Sequence, residues 1–380
     1  MAALAVTVEP VGARPAAVVT VHVRGALPAD LRVDGEIVGR ATRARARVRL
    51  PASVGLGRHR LAACRPAGCG RSTPLVVTDG PVLSGCPVLP PGAAYNRDVS
   101  GAPLAPDSAA LVTAQAAGHP LHLDLGSTQR EYGIPFAVVP IGQRRLPLLF
   151  GTDGADYSSE SDRGPVPVPA GAPVEGAAGV GGGNGSGDRH VLVLQRGRCV
   201  LTELYNAVRV RAASGAVRAW RVSSAARWDL TREQRRRPGY TSADAAGLPI
   251  LPGLLRYEEA ARGAIRHALR FTLPRARRAY QPPASHCGTT TDLTAPPYGS
   301  RWRLRAGFDE TPYRGPALAI VRALKRYGLM FADQGSALFV SGTSDPRWAP
   351  VIDELQNRHP IDGGDFEVVA GGAVSTCGSR

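Results

Sequence analysis

Short runs of alternating apolar and polar residues, closed by turn-forming residues, recur roughly every 8 to 12 residues through the first 79 positions. Residues 18–24, 31–38, 46–50, 56–63 and 72–78 carry them. A period of two gives each run one apolar face, and punctuation this frequent leaves no room for long helices. Strands of this length must pair into sheets and bury their apolar faces against a second sheet. A β-sandwich is therefore expected over residues 1–79. Cys64 and Cys69 enclose Arg-Pro-Ala-Gly, a turn sequence that brings their Cα atoms within disulfide range.

The order of these strands looks like that of immunoglobulin-like modules appended to bacterial surface proteins and secreted enzymes. A Pro/Gly-rich linker over residues 80–92 is expected to hinge this module to a larger β-rich domain over 93–370, followed by a tail at 371–380. At 380 residues, one small and one large domain is the natural division. The large domain is expected to be a β-sandwich or jelly-roll-like fold with one or two short helices. Pro316 at a first-turn position, the stripe Ala317, Ile320, Val321 and Leu324, and Gly328 as the stop predict one helix. A second short helix is expected over 350–358. Residues 329–332 and 337–341 are expected to pair as a hairpin across Asp333-Gln-Gly-Ser336.

The formal charge is +15, yet Lys325 is the only lysine and the arginines are scattered, with no nucleic-acid motif beside them. That pattern argues against nucleic acid and suits an acidic polysaccharide or cell-surface partner. No apolar run reaches the roughly 18 residues of a membrane span. The opening residues lack a basic region followed by an apolar stretch, so no signal peptide is read there. Six cysteines, an even number, favour an oxidising compartment. The partners of Cys86, Cys199, Cys287 and Cys377 stay open. The expectation is an extracellular or cell-surface monomer whose leader is not part of this sequence.

Chemistry concentrates between residues 188 and 270. If Arg196-Gly197 is a two-residue turn, His190 lies opposite Glu203 on one sheet face, an imidazole–carboxylate pair. Alternation over 264–273 points His267 with Ile265, Leu269 and Phe271; such a histidine is more often a satisfied core residue than a catalyst. Asp244 sits in a loop stiffened by Pro249, Pro252 and Gly253, as a preorganised site requires. Glu258 and Glu259 are adjacent, so at most one faces a given cleft. Candidate catalytic residues are thus Asp244, Glu258, Glu259, His190, Glu203 and His267, with Arg270, Tyr257, Asp188 and Trp220 as substrate-binding candidates. Asp153, Asp156, Glu160 and Asp162 could ligate Ca²⁺, although their spacing is not that of an EF-hand. No other cofactor is expected. His286-Cys287 is weak evidence for zinc or a thiol nucleophile. The segment 175–187 reads as a glycine-rich surface insertion rather than a phosphate-binding loop.

The stretch from Ala94 to Val369 resembles a largely uncharacterised family of secreted bacterial and fungal proteins. The likeness rests on Tyr132-Gly-Ile-Pro135, Gly187-Asp-Arg-His190, Glu203-Leu-Tyr205, the run from Thr241 to Glu259 and His267-Ala-Leu-Arg-Phe271. Ala332-Asp-Gln-Gly-Ser336, Ser341-Gly342 and Asp345-Pro-Arg-Trp348 complete it. The resemblance implies an extracytoplasmic protein and supplies no reaction. The residues themselves suggest an enzyme cleaving a polysaccharide, with Asp244 and Glu258 or Glu259 as the carboxyl pair. A lyase using His or Tyr as base, with Arg270 on a uronate, is a variant. A non-catalytic glycan binder with Trp and Tyr platforms is the alternative.

Overall fold

The computed structural model describes residues 4–125, 133–152, 156–176 and 187–377. The chain is mainly β, with 35% strand against 14% helix, so sheets and not helices set the architecture. Near the N-terminus, a three-stranded antiparallel sheet orders Ala5–Glu9, Val18–Arg24 and Arg45–Arg49. A second sheet orders Gly12–Ala13, Thr73–Val77, Gly57–Arg65, Ala29–Val33 and Glu36–Ala41, with Gly68–Cys69 paired to Gly57–Arg65. The alternation seen in the sequence becomes burial: Val6, Val8, Val19, Val21, Leu31, Leu61 and Leu75 fill one apolar core. Cys64 and Cys69 face each other across the hairpin and are disulfide-bonded.

Residues 80–92 are fastened rather than freely hinged. Val82–Leu83 pairs with Cys86–Pro87, and Val88 and Leu89 are buried. Cys86 is bonded to Cys199, and the Asn96 amide donates to the carbonyls of Val88, Leu89 and Pro90. The third disulfide joins Cys287 to Cys377, which removes Cys287 as a thiol nucleophile or zinc ligand.

The large region is built on a six-stranded mixed sheet. Its order is His122–Asp124, Phe339–Ser341, Leu269–Leu273, Leu329–Gln334, Arg301–Leu304, Phe366–Val369. The expected hairpin between residues 329–332 and 337–341 does not form. Leu269–Leu273 lies between those strands, parallel to one and antiparallel to the other. This strand is buried on both faces, with Phe271 fully enclosed, so a central slot satisfies it better than an edge. The short connection instead wraps its end, Gly335 and Leu338 donating backbone N–H groups to Leu273 and Thr272. The strand begins at Leu269 and not Ala264, which leaves His267 in the preceding segment.

The connection from Arg301–Leu304 to its antiparallel neighbour Leu329–Gln334 carries the expected helix, Gly315–Arg326. Ala317, Ile320, Val321 and Leu324 are buried, and Gly328 ends the helix at φ +66°. The second expected helix appears as Ala349–Ile352 running into Asp353–Arg358.

A four-stranded sheet orders Phe136–Val139, Val191–Gln195, Val200–Tyr205 and Ser224–Asp229. A three-stranded sheet orders Leu148–Phe150, Val217–Val222 and Val208–Arg211. Val191, Val193, Leu204, Trp220 and Val222 form an apolar cluster shared by these two sheets.

Candidate functional site

The loop carrying Asp244 is locked by its own short polar residues. Ser242 Oγ donates to the Leu248 carbonyl at 2.7 Å and accepts from the Asp244 N–H at 2.9 Å. Thr241 Oγ1 donates to the Asp244 carbonyl at 2.9 Å. Gly247 has φ +75°, and a Cβ there would lie 2.6 Å from the Tyr240 carbonyl oxygen, so the turn admits only glycine. The loop is tied to the central sheet through the Ala246 N–H to the Ala332 carbonyl.

This rigidity delivers the Asp244 carboxylate to Arg270. Arg270 Nε is 2.8 Å from Asp244 Oδ1, Nη1 donates to Ser341 Oγ at 2.7 Å, and Nη2 is 3.2 Å from Asp333 Oδ2. Asp333 and Ser341 sit on the two strands flanking that of Arg270, so all three depend on the inserted strand order. Burial pushes the Asp244 carboxyl upward and Arg270 opposes it. Burial also raises Asp333, to about 7; Arg270 opposes that too, while the Asp244 and Asp188 carboxylates add to the rise.

His190 immediately precedes the strand Val191–Gln195. Its register partner is not Glu203: Leu192 is opposite Glu203 and Gln195 opposite Val200, a four-residue connection in place of the expected two. His190 therefore lies two positions out of register with Glu203 and beside Tyr205, with ring centroids 5.6 Å apart. Its Nδ1 meets Glu175 Oε2 at 2.5 Å, and its Nε2 donates to the Ala243 carbonyl at 3.0 Å. Burial opposes the charged ring, but Glu175 outweighs it and lifts His190 to about 9.

Asp188, His190, Tyr205, Ser242, Asp244, Asp333 and Tyr157 line one cavity of about 240 Å³. Three of the sequence candidates, Asp188, His190 and Asp244, thus converge, and Arg270 anchors the wall behind them. The segments 187–190, 203–205, 241–259 and 332–336, which carry the family resemblance, each contribute a lining residue. Asp188 is exposed at the cavity, whereas His190 is 2% and Asp244 1% exposed.

The other candidates lie elsewhere. Glu203 is fully buried and accepts from Trp228 Nε1 and the N–H groups of Ile250 and Leu251, each at 2.9 Å. Burial raises it to about 7 against those three donors. The helix Tyr257–Ala261 turns Glu259 inward to Arg256 at 2.8 Å and to His267 Nε2 at 3.0 Å. Burial disfavours its charge, but Arg256 and His267 prevail and hold Glu259 down at about 2. His267, with Nδ1 also donating to the Ala268 carbonyl, is a satisfied core residue. Glu258 points out to Arg347 at 2.6 Å, and that guanidinium stacks 4.2 Å above the Tyr257 ring. Tyr257, Glu258 and Glu259 line a separate hollow of about 250 Å³ with Leu83 and Phe136. Asp244 and the Glu258–Glu259 pair therefore do not share a cleft.

Trp220, offered as a sugar platform, is 0% exposed, and Trp228, Trp302 and Trp348 are also buried. Arg270 is committed to Asp244, Asp333 and Ser341. In the acidic segment Asp153 lies outside the described residues. Asp156 caps the Ser158 N–H, Glu160 accepts from the Thr241 N–H, and Asp162 pairs with Arg236 at 2.7 Å. These three turn to separate partners and form no metal-ligand group among the described residues. Asp333 and Glu175 escaped the sequence reading. Asp333 looked like part of a hairpin turn, and Glu175 like the edge of a glycine-rich insertion.

No helix among the described residues is long and apolar enough to cross a membrane. No protein-family model, characterised protein or solved structure matches the chain.

Proposed function

We propose that the protein is a secreted glycoside hydrolase whose active site is the Asp188–Asp244–Asp333 cavity. The observation carrying this reading is a pair of carboxyl groups with divergent settings in one small polar hollow. Asp333 is raised to about 7 and retains a proton near neutrality, while Asp188 stands exposed beside it. One carboxyl acid and one carboxylate are the equipment for protonating a glycosidic oxygen and directing water to the sugar carbon. Asp333 is the proton donor and Asp188 directs the water. The Arg270–Asp244 pair fixes Asp333, and the hydroxyls of Tyr157 and Tyr205 offer hydrogen bonds to a sugar. Three disulfides favour an oxidising, extracellular setting.

Two alternatives fare worse on the same geometry. A lyase needs a neutral base and a free cation for a uronate, but His190 is held as imidazolium by Glu175 and Arg270 is already paired. A glycan binder would have only the half-buried Tyr157 and Tyr205 as platforms in this cavity, because all four tryptophans are buried. The test is release of reducing ends from neutral and acidic polysaccharides by wild type and Asp333→Asn. Release that disappears in the variant supports the proposal. Release unchanged in the variant, or ultraviolet-absorbing unsaturated ends in place of simple hydrolysis, overturns it, as does no release from any glycan.

A further inference from the structure

The floor of the cavity holds more negative charge than its cations balance. Among the described residues, Glu175, Asp188, Asp244 and Asp333 gather around Arg270 and His190, and Asp124 adds a further carboxyl whose rise to about 6 comes from burial and from Glu175. Within this group, Glu175, Asp188 and His190 each offer a ligand atom, all within 4.8 Å of one another. The ring of His190 is oriented for the purpose. Nε2–H is spent on the Ala243 carbonyl, so the proton that an incoming ion would displace sits on Nδ1, on the side of Glu175. A backbone carbonyl holding the far nitrogen is the usual support of a metal-bound histidine.

An independent observation points to a missing partner. Asp244 Oδ2 is buried with no well-formed hydrogen bond, the Leu248 N–H helping the carboxylate without lining up on this oxygen, although Asp244 is only 1% exposed and lines the same cavity as Asp188 and His190. A buried carboxylate oxygen left in this way is costly unless a donor occupies the space before it. A water held by a metal ion supplies such a donor.

We propose that Glu175, Asp188 and His190 bind a divalent transition-metal ion of the Zn²⁺ or Mn²⁺ type, with an ion-bound water facing Asp244 Oδ2. One imidazole nitrogen and two carboxylate oxygens suit these ions better than Ca²⁺, which takes an all-oxygen shell. The ion replaces the proton shared between His190 Nδ1 and Glu175, and that proton leaves to solvent. The role of the ion, holding the water that Asp188 directs, rests on the hydrolase reading; its binding does not.

The test is calorimetric titration of the chelator-treated full chain with ZnCl₂ and, separately, MnCl₂. The expected result is one equivalent bound, with affinity reduced about tenfold or more by Asp188→Asn and by Glu175→Gln. Asp333→Asn should bind the metal as wild type does. Asp188 is exposed, so Asp188→Asn is expected to keep the wild-type melting temperature, which separates lost ligation from lost folding. No binding of either ion, or binding equal to wild type in both ligand variants, overturns the inference. Sugar release that persists without any metal binding leaves the hydrolase standing and removes the ion. Metal binding that depends on Asp188, without sugar release, does the reverse.

Discussion

Arg270 and Asp244 form an ion pair at 2.8 Å in which the Arg270 side chain is 5% and the Asp244 side chain 0% exposed. The pair joins the 241–248 loop to the central strand and fixes the wall from which Asp333 acts. Removing one partner leaves the other charge buried. Arg270→Met is expected to cost about 3–5 kcal/mol, while the double variant Arg270→Met/Asp244→Leu recovers a large part of that loss. Urea denaturation of both proteins checks this, and a double variant no more stable than the single one would count against the pairing.

Asp333 must be protonated to donate, and burial with the neighbouring carboxylates raises it to about 7. Hydrolysis by wild type should therefore fall as pH rises through about 7. A pH–rate profile of kcat/KM checks this. A rate that climbs steadily from pH 6 to 9 would exclude Asp333 as the acid.

Glu203 is likewise raised to about 7, by burial against the opposing help of Trp228, Ile250 and Leu251. The folded carboxyl holds its proton above the pH at which the unfolded one releases it. Stability is therefore greatest below the unfolded value near 4.5 and declines as pH rises to about 7, by roughly 3 kcal/mol. Glu203→Gln should flatten this decline in denaturation curves taken at pH 5 and pH 8. Equal slopes in the two proteins would show that another group is responsible.

Adjacent glutamates should behave oppositely. Glu259→Ala strips the partner from buried Arg256 and His267 and is expected to cost about 3–5 kcal/mol. Glu258→Ala loses only an exposed pair with Arg347 and should leave stability close to that of wild type. Thermal and urea unfolding of the two variants would reveal comparable losses if the helix were turned otherwise.

Disulfide loss should scale with the loop closed. Cys86–Cys199 spans 113 residues, and its Ala/Ala replacement is expected to cost on the order of 4 kcal/mol. Cys64–Cys69 spans five and should cost about half as much or less. The same ranking should appear in the denaturation midpoints. The reverse order would mean that local packing at Cys64, rather than loop entropy, governs the difference.

The sequence by itself determined what is local. The period-two runs before residue 79 set a sheet pair, because alternation fixes which side chains can be buried together. Pro316, the apolar stripe and Gly328 set the helix Gly315–Arg326, because capping and periodicity act within a few turns. The apolar company of His267 announced a core histidine. Asp244 was legible as an acid in a stiff loop, and Asp188 and His190 as polar residues opening a strand. Tertiary structure alone decided which of them meet. Connection length moved the register of Val191–Gln195 by two residues and gave His190 to Glu175 instead of Glu203. Insertion of Leu269–Leu273 between two strands adjacent in the chain placed Asp333 and Ser341 on either side of Arg270. Pairing between distant strands depends on which apolar faces can be covered at once, and that is a property of the whole packed chain.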